Sequence, residues 1–252
     1  MLSNKLKIND SKTEFIILGT SQQLKKIKIN HIKVGDTDIT PVESVKNLGV
    51  VFDDNLKMDK HITKVCSKAF YHIYNIKQIR KFLSKDATET LVHAFISSQL
   101  DYCNALLTGL PTNQLHKLQV VQNSAARMIC FFRRYEHITP TLMNLHWLPV
   151  EARIKYKVIL LTFKAIHGTA PEYLQEMIQV TGNSAYALRS NCEIQLLVPK
   201  HRHSTTGRRA FAVSAPLLWN SLPVNLRTES SPQTFKKMLK THLFQVSYSQ
   251  GR

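Results

Sequence analysis

Acidic side chains are scarce in this chain. Lys and Arg number 34 against 17 Asp and Glu, a net charge of +17, and that balance disfavours a cationic partner and favours a polyanion such as RNA or DNA. Glycine is scarce too: there are eight in 252 residues, none at the spacing of a phosphate-cradling loop. No G-x-S-x-G nucleophile elbow is present. The cysteines, Cys66, Cys103, Cys130 and Cys192, lie far apart with no C-x-x-C pair, which argues against a disulfide framework or a zinc ribbon and for a reducing compartment. Long hydrophobic runs are missing: the longest, VILLTF at 158–163, is far short of the roughly 20 residues a bilayer requires. The start, MLSNKLKIND, has no apolar leader core. A soluble intracellular protein, nuclear or cytoplasmic and without a membrane partner, is the expectation.

What is present is enough apolar sequence, 43%, to bury one sizeable core or two small ones. From Glu14 to Phe52 runs of Ile and Val are broken by Gly, Asp and Asn: EFIILG, KIKIN, HIKVGDTDI and SVKNLGVVF, the chemistry of hairpins. After Asp59 the period changes. Ile62, Val65, Cys66, Ala69, Ile73 and Ile76 recur at spacings of three and four, one apolar helix face with lysines opposite. A second helix is expected from Ser84 through Ser98. A third follows Pro111 and carries Leu115, Leu118, Gln122, Ala125, Ala126 and Ile129. Pro149 and Gly168 bracket another helix with Ile154, Val158, Leu161 and Ala165 inside, and Pro171 opens a short one. Gly, Asn and Ser around 181–190 indicate a loop. The stretch from Pro232 reads as an amphipathic helix on Phe235, Leu239 and Leu243. The fold class expected is α+β, with an antiparallel β segment at 1–56, a helical body at 57–180 and a mixed basic region at 181–252.

Asp53-Asp54 in NLGVVFDDNL poses the question of enzymatic capacity. A polymerase holds two divalent ions between carboxylates, and the reverse-transcriptase box is aromatic-x-Asp-Asp in a tight strand turn. Here Val51 stands in the aromatic place and Phe52 is displaced by one, which turns the ring to the opposite face of a strand. The pair therefore reads as the end of a strand and the cap of the helix starting near Asp59. His201 and His203, with Cys192 upstream, lack a fourth metal ligand and read as solvated histidines. Trp147 and Trp219, each near a proline in HWLP and LWNSLP, either stack on bases or close a core. Between Glu193 and Glu229 there is no acid, and Lys200, Arg202, Arg208 and Arg209 are the candidate phosphate-binding residues. If the segment is a strand, Arg208 and Arg209 point opposite ways.

Eight phrases in order carry a family resemblance: DSKTEFIILG, SVKNLGVVFDDNLKMDKHI, SSQLDYCNALLTGLP, LQVVQNSAARMI, LHWLPVEARIKYKVILLTFKAIHGTAPEYL, LRS, LLVPKHRHSTTGRRAFAVSAPLLWNSLP and FKKMLKTHLF. They resemble the reverse transcriptase of non-LTR (LINE-type) retrotransposons, of the jockey and chicken-repeat kind. The resemblance implies the last palm strands, the thumb and the carboxy-terminal region of an RNA-directed DNA polymerase. Its magnesium-binding aspartate box would lie before Met1, which leaves no catalytic residue and no cofactor in this chain. Lys12 matches a lysine proposed in related polymerases to protonate the leaving pyrophosphate. RNA or an RNA–DNA hybrid, and the upstream polymerase segments, are the partners implied. A non-functional relic, or a host protein-interaction module that reuses the helical body, are the alternative readings.

Overall fold

The structure, a computed structural model, describes residues 9, 12–132, 135–181, 194–200 and 206–249. It is an α+β fold, and contacts divide the chain into two compact units, Met1–Lys64 and Val65–Arg252.

In the first unit a short helix α1 (Ser21–Leu24) precedes two antiparallel hairpins. Thr20 and Gln23 cap α1 reciprocally, side chain to backbone in both directions. β1 (Ile32–Val34) pairs with β2 (Thr37–Ile39) across Gly35-Asp36, the turn expected from HIKVGDTDI. β3 (Ser44–Asn47) pairs with β4 (Val50–Asp53), with Asn47 opposite Val50. Their two-residue turn has φ of 45° at Leu48 and 88° at Gly49, positive at both positions as in the mirror-image turn that matches strand twist. EFIILG and KIKIN form no ladder: Phe15 makes an isolated bridge to Pro41, and the lysines of KIKIN stay in solvent. β propensity without a pairing partner does not make a strand.

Helix α2 (Asp59–Ile79) runs through the unit boundary and buries Ile62, Ala69, Ile73 and Ile76, as their spacing indicates. Ser84 accepts a hydrogen bond from Ala87 N at 3.1 Å and so caps α3 (Lys85–Val92). The helix then widens into a π-helical turn, His93–Ser97, before resuming as α4 (Ser98–Asp101). The widened turn is braced by side chains: Ser98 Oγ and Gln99 Nε2 donate to the carbonyls of Ala94 and Phe95.

α5 (Thr112–Cys130) and α7 (Val150–Ile166) begin directly after Pro111 and Pro149, whose missing N–H belongs to the orphan first turn in any case. Between them lies α6 (Ile138–Asn144), and after Gly168 (φ +66°) comes α8 (Glu172–Gln175). Arg80 ties the helical body together. It is 6% exposed and donates to the carbonyls of Leu83, Met128 and Ile129, so it satisfies the orphan end of α5.

The described part of the basic region is mostly helical: α9 (Thr206–Arg209), α10 (Phe211–Asn220), α11 (Val224–Arg227) and α12 (Pro232–Ser249), with a short pair of strands, β5 (Val180–Thr181) and β6 (Gln195–Leu196). It shares one core with α7, so the two sides of the expected 180/181 boundary are packed together. Phe163 and Phe235 stack at 4.1 Å, Trp219 lies against Phe235 at 5.9 Å, and Leu239 and Leu243 extend the same face. Each such side chain contributes roughly 1.5–3 kcal/mol by burial. Arg227, also 6% exposed, donates to Leu222 O. The Asn220 amide pairs with both backbone groups of Leu196 at 2.8–2.9 Å, which finishes the edge of β6 as another strand would.

Candidate functional site

Asp53 and Asp54 are both engaged locally. Asp53 ends β4, is 7% exposed, and its Oδ1 accepts Lys57 N at 2.6 Å in the turn that leads into α2. Asp54 Oδ1 accepts Asn55 Nδ2 at 2.6 Å. Among the described residues no group of three His, Cys, Asp or Glu is placed to hold a metal ion. These residues therefore do not fit the pair of magnesium ions that the family resemblance implies, and no step is assigned to that metal. Lys12 is exposed.

The four basic candidates separate. Lys200 and Arg208 are exposed, while Arg202, with His201 and His203, lies outside the described residues, as do Cys192 and most of the loop expected at 181–190. Arg208 and Arg209 sit in helix α9 rather than in a strand, and they diverge all the same. Arg209 folds back and donates from Nε to Thr108 O at 3.2 Å and from a terminal nitrogen to Leu106 O at 3.4 Å. Its stem lies so close over Gly109 that a Cβ there would come within 2.8 Å of Arg209 Cγ.

A second basic surface is the outer face of α2. No acid occurs between Asp59 and Asp86, and Lys68, Tyr71, Tyr74 and Lys77 are all exposed, the two tyrosines at 62% and 63%. Rings left open among cations form a stacking platform for bases. The lysines opposite the apolar stripe were legible in the sequence; that the tyrosines stand with them outside was not, because their period alone does not say which side is covered.

The third feature is a cleft of about 430 Å³ in the second unit, lined by residues of the α3–α4 helix, the segment 145–148, α7 and α12. The segment Trp147-Leu148-Pro149 is strapped from several sides. Tyr248 donates to Trp147 O at 2.6 Å, Gln122 and Arg153 donate to Leu148 O at 2.9 and 3.1 Å, and Val150 N donates to Gln119 Oε1 at 2.9 Å. Burial pushes the Tyr248 phenol up to about 12, against a smaller lowering by Arg153, so it stays a neutral donor. Arg153 also pairs with Asp101 at 2.6 Å.

Two buried polar atoms of cleft-lining residues have no partner: Trp147 Nε1 and Asn104 Oδ1, on side chains each 4% exposed. A buried group left so costs about 1–3 kcal/mol. The Asn104 amide cannot be turned round to remove the problem, since its Nδ2 faces Asp101 Oδ1 at 3.5 Å and the reverse rotamer would set oxygen against carboxylate. Trp219, by contrast, is fully buried and donates to Ile194 O at 2.9 Å, so its indole closes a core with its N–H satisfied.

His93, on the π-helical turn, contacts Ser97 Oγ at 3.2 Å through Nδ1 and Glu89 at 3.6 Å through Nε2. The order Ser97–His93–Glu89 has the connectivity of a nucleophile relay, but Ser97 is 7% exposed and does not line the cleft, so a substrate there would not meet its hydroxyl. No helix among the described residues is long and apolar enough to cross a membrane. No protein-family model, curated protein or solved structure matches the chain.

Proposed function

We propose that the chain is the carboxy-terminal portion of a non-LTR retrotransposon reverse transcriptase and that its own capacity is to hold single-stranded RNA or an RNA–DNA hybrid, without polymerising. The eight ordered phrases support the family reading, and the engaged state of Asp53 and Asp54 supports the absence of polymerase chemistry from this chain. The observation that carries the binding role is the α2 face, where Lys68 and Lys77 flank the exposed rings of Tyr71 and Tyr74 on an acid-free helix. Lysines there take phosphates and release counterions; the rings take base faces without regard to sequence. Lys200 and Arg208 are further exposed cations open to the same backbone.

Fluorescence anisotropy of a labelled single-stranded RNA against salt concentration tests the proposal. Lys68→Ala and Lys77→Ala should each lower the log–log salt slope by about 0.7. Tyr71→Ala and Tyr74→Ala should each weaken binding by about 1–3 kcal/mol with the slope unchanged. Parent-like affinity and slope in all four variants would remove the α2 face from the interface.

A further inference from the structure

The cleft between α3–α4, α7 and α12 has a composition that the α2 face does not explain. Among the described residues Lys157 and Lys240, exposed on α7 and α12, make no ion pair or hydrogen bond; Asp101 is paired with Arg153, so the two lysines outnumber the one remaining carboxylate, Glu89, which lies 3.6 Å from the His93 ring. The rim therefore has unspent positive charge. Deeper in, the ring of His93 lies 5.4 Å from that of Trp147, and the side chains of Trp147 and Asn104 hold one donor and one acceptor without partners. A guest that answers all three features is anionic at one end and flat at the other, with ring edges that both accept and donate. The volume of about 430 Å³ admits one such molecule and excludes a duplex.

We propose that this cleft is a binding site for a single nucleotide unit, phosphate toward Lys157 and Lys240, base against the Trp147 wall. The indole N–H donates to a carbonyl or ring nitrogen of the base, and Asn104 Oδ1 accepts from an amino or imino hydrogen. Both atoms are shielded from solvent in the unliganded protein, so binding includes a side-chain adjustment of the wall, in which the Asn104 amide tilts toward the cleft while its Nδ2 stays on the Asp101 side. His93 stands on the π-helical turn, a local widening of a kind often found where a helix carries a functional group. The guest is either a free mononucleotide or an unpaired residue of a strand, and the chemistry of the cleft is the same for both. The site shares no residue with the α2 face and stands whether or not that face binds RNA.

Calorimetric titration of the full chain with AMP and with UMP is the first arm. Binding is expected, weakened about tenfold or more by Lys157→Ala with Lys240→Ala, and about tenfold by Asn104→Leu or by Trp147→Phe, each of which removes one hydrogen-bonding partner. Adenosine and uridine should bind more weakly than their monophosphates, and inorganic phosphate more weakly still. The two lysines are exposed, so loss of binding in that variant with an unchanged circular dichroism spectrum is not a folding defect. The second arm uses a Lys68→Ala/Tyr71→Ala protein and a short single-stranded RNA with either an intact or an abasic central position. Preference for the intact strand, lost in Asn104→Leu, assigns the cleft to a strand residue; mononucleotide binding without that preference assigns it to the free nucleotide. The proposal is overturned if neither probe binds, if inorganic phosphate binds as tightly as AMP, or if the lysine and Asn104 variants bind as the parent does.

Discussion

Replacing Arg209 by alanine separates a cation that holds the fold from one that holds phosphate. Two of its hydrogen bonds, at 3.2 Å to Thr108 O and 3.4 Å to Leu106 O, are long, the first part-buried and the second exposed, so each is worth about 1 kcal/mol rather than the upper value for a charged donor. The combined loss is about 2 kcal/mol, which for a unit of this size lowers Tm by about 4–8 °C. Arg208, exposed on the same short helix, should cost less than about 0.5 kcal/mol as alanine. In RNA binding the order reverses: Arg208→Ala should reduce the salt slope by about 0.7, and Arg209→Ala should leave it alone. Gly109 supplies an internal check. At φ +69° an alanine costs about 1–2 kcal/mol by backbone strain, and its methyl also meets Arg209 Cγ at 2.8 Å. In Gly109→Ala/Arg209→Ala that second cost vanishes, so the double variant should be about 1 kcal/mol more stable than the sum of the singles indicates. Thermal denaturation followed by circular dichroism, with a salt titration of RNA affinity, reads both. An Arg209→Ala protein that melts with the parent yet loses salt slope would refute this assignment.

Four further outcomes are expected. Tyr248 has a folded pKa of about 12 against about 10 unfolded; above pH 10 only the unfolded chain releases this proton, so stability is complete below pH 10 and declines toward 12, and denaturant melts of Tyr248→Phe should lack that part of the decline. Leu48, 83% exposed with φ 45°, sits where the turn favours asparagine, so Leu48→Asn should stabilise the β3–β4 hairpin by about 1 kcal/mol, and an unchanged denaturation midpoint would count against the turn geometry. Primer extension on an RNA template with magnesium or manganese should give nothing above a heat-killed control, whereas Asp53→Ala should cost about 1 kcal/mol through loss of its bond to Lys57 N; extension abolished by Asp53→Asn would return the pair to catalysis.

Much of the helical body was legible because its signals are local. The Ser84 cap, the starts after Pro111, Pro149 and Pro171, the stop at Gly168 and the stripe of Phe235, Leu239 and Leu243 all depend on a few neighbouring residues. The π-helical turn did not show, since the side-chain bonds that brace it come from Ser98 and Gln99, residues that serve equally well in an ordinary helix. Nor did α10, which carries Pro216 inside it, where proline argues against a helix. The basic candidates failed to sort for a different reason: charge is visible in sequence, but the direction of a long side chain is set by which carbonyls lie within reach. For Arg209 those carbonyls are about a hundred residues away along the chain. The cleft is likewise invisible, because Asn104, Trp147, Lys157 and Lys240 meet only after α7 and α12 have packed.

Arg80, Arg153, Arg209 and Arg227 all spend guanidinium N–H groups on backbone carbonyls, and two of them are almost wholly buried. Lys68, Lys77, Lys157, Lys200 and Lys240 all face water. The two kinds of cation are thus not interchangeable stock of positive charge: one is mortar, the other is field. Acetylating the lysines should leave the protein standing and reduce its attraction for polyanions to what exposed arginines such as Arg208 supply. Exchanging those four arginines for lysine would keep the net charge unaltered while the carbonyls they hold, among them the end of α5 under Arg80, lose the fixed fork of donors that a guanidinium presents.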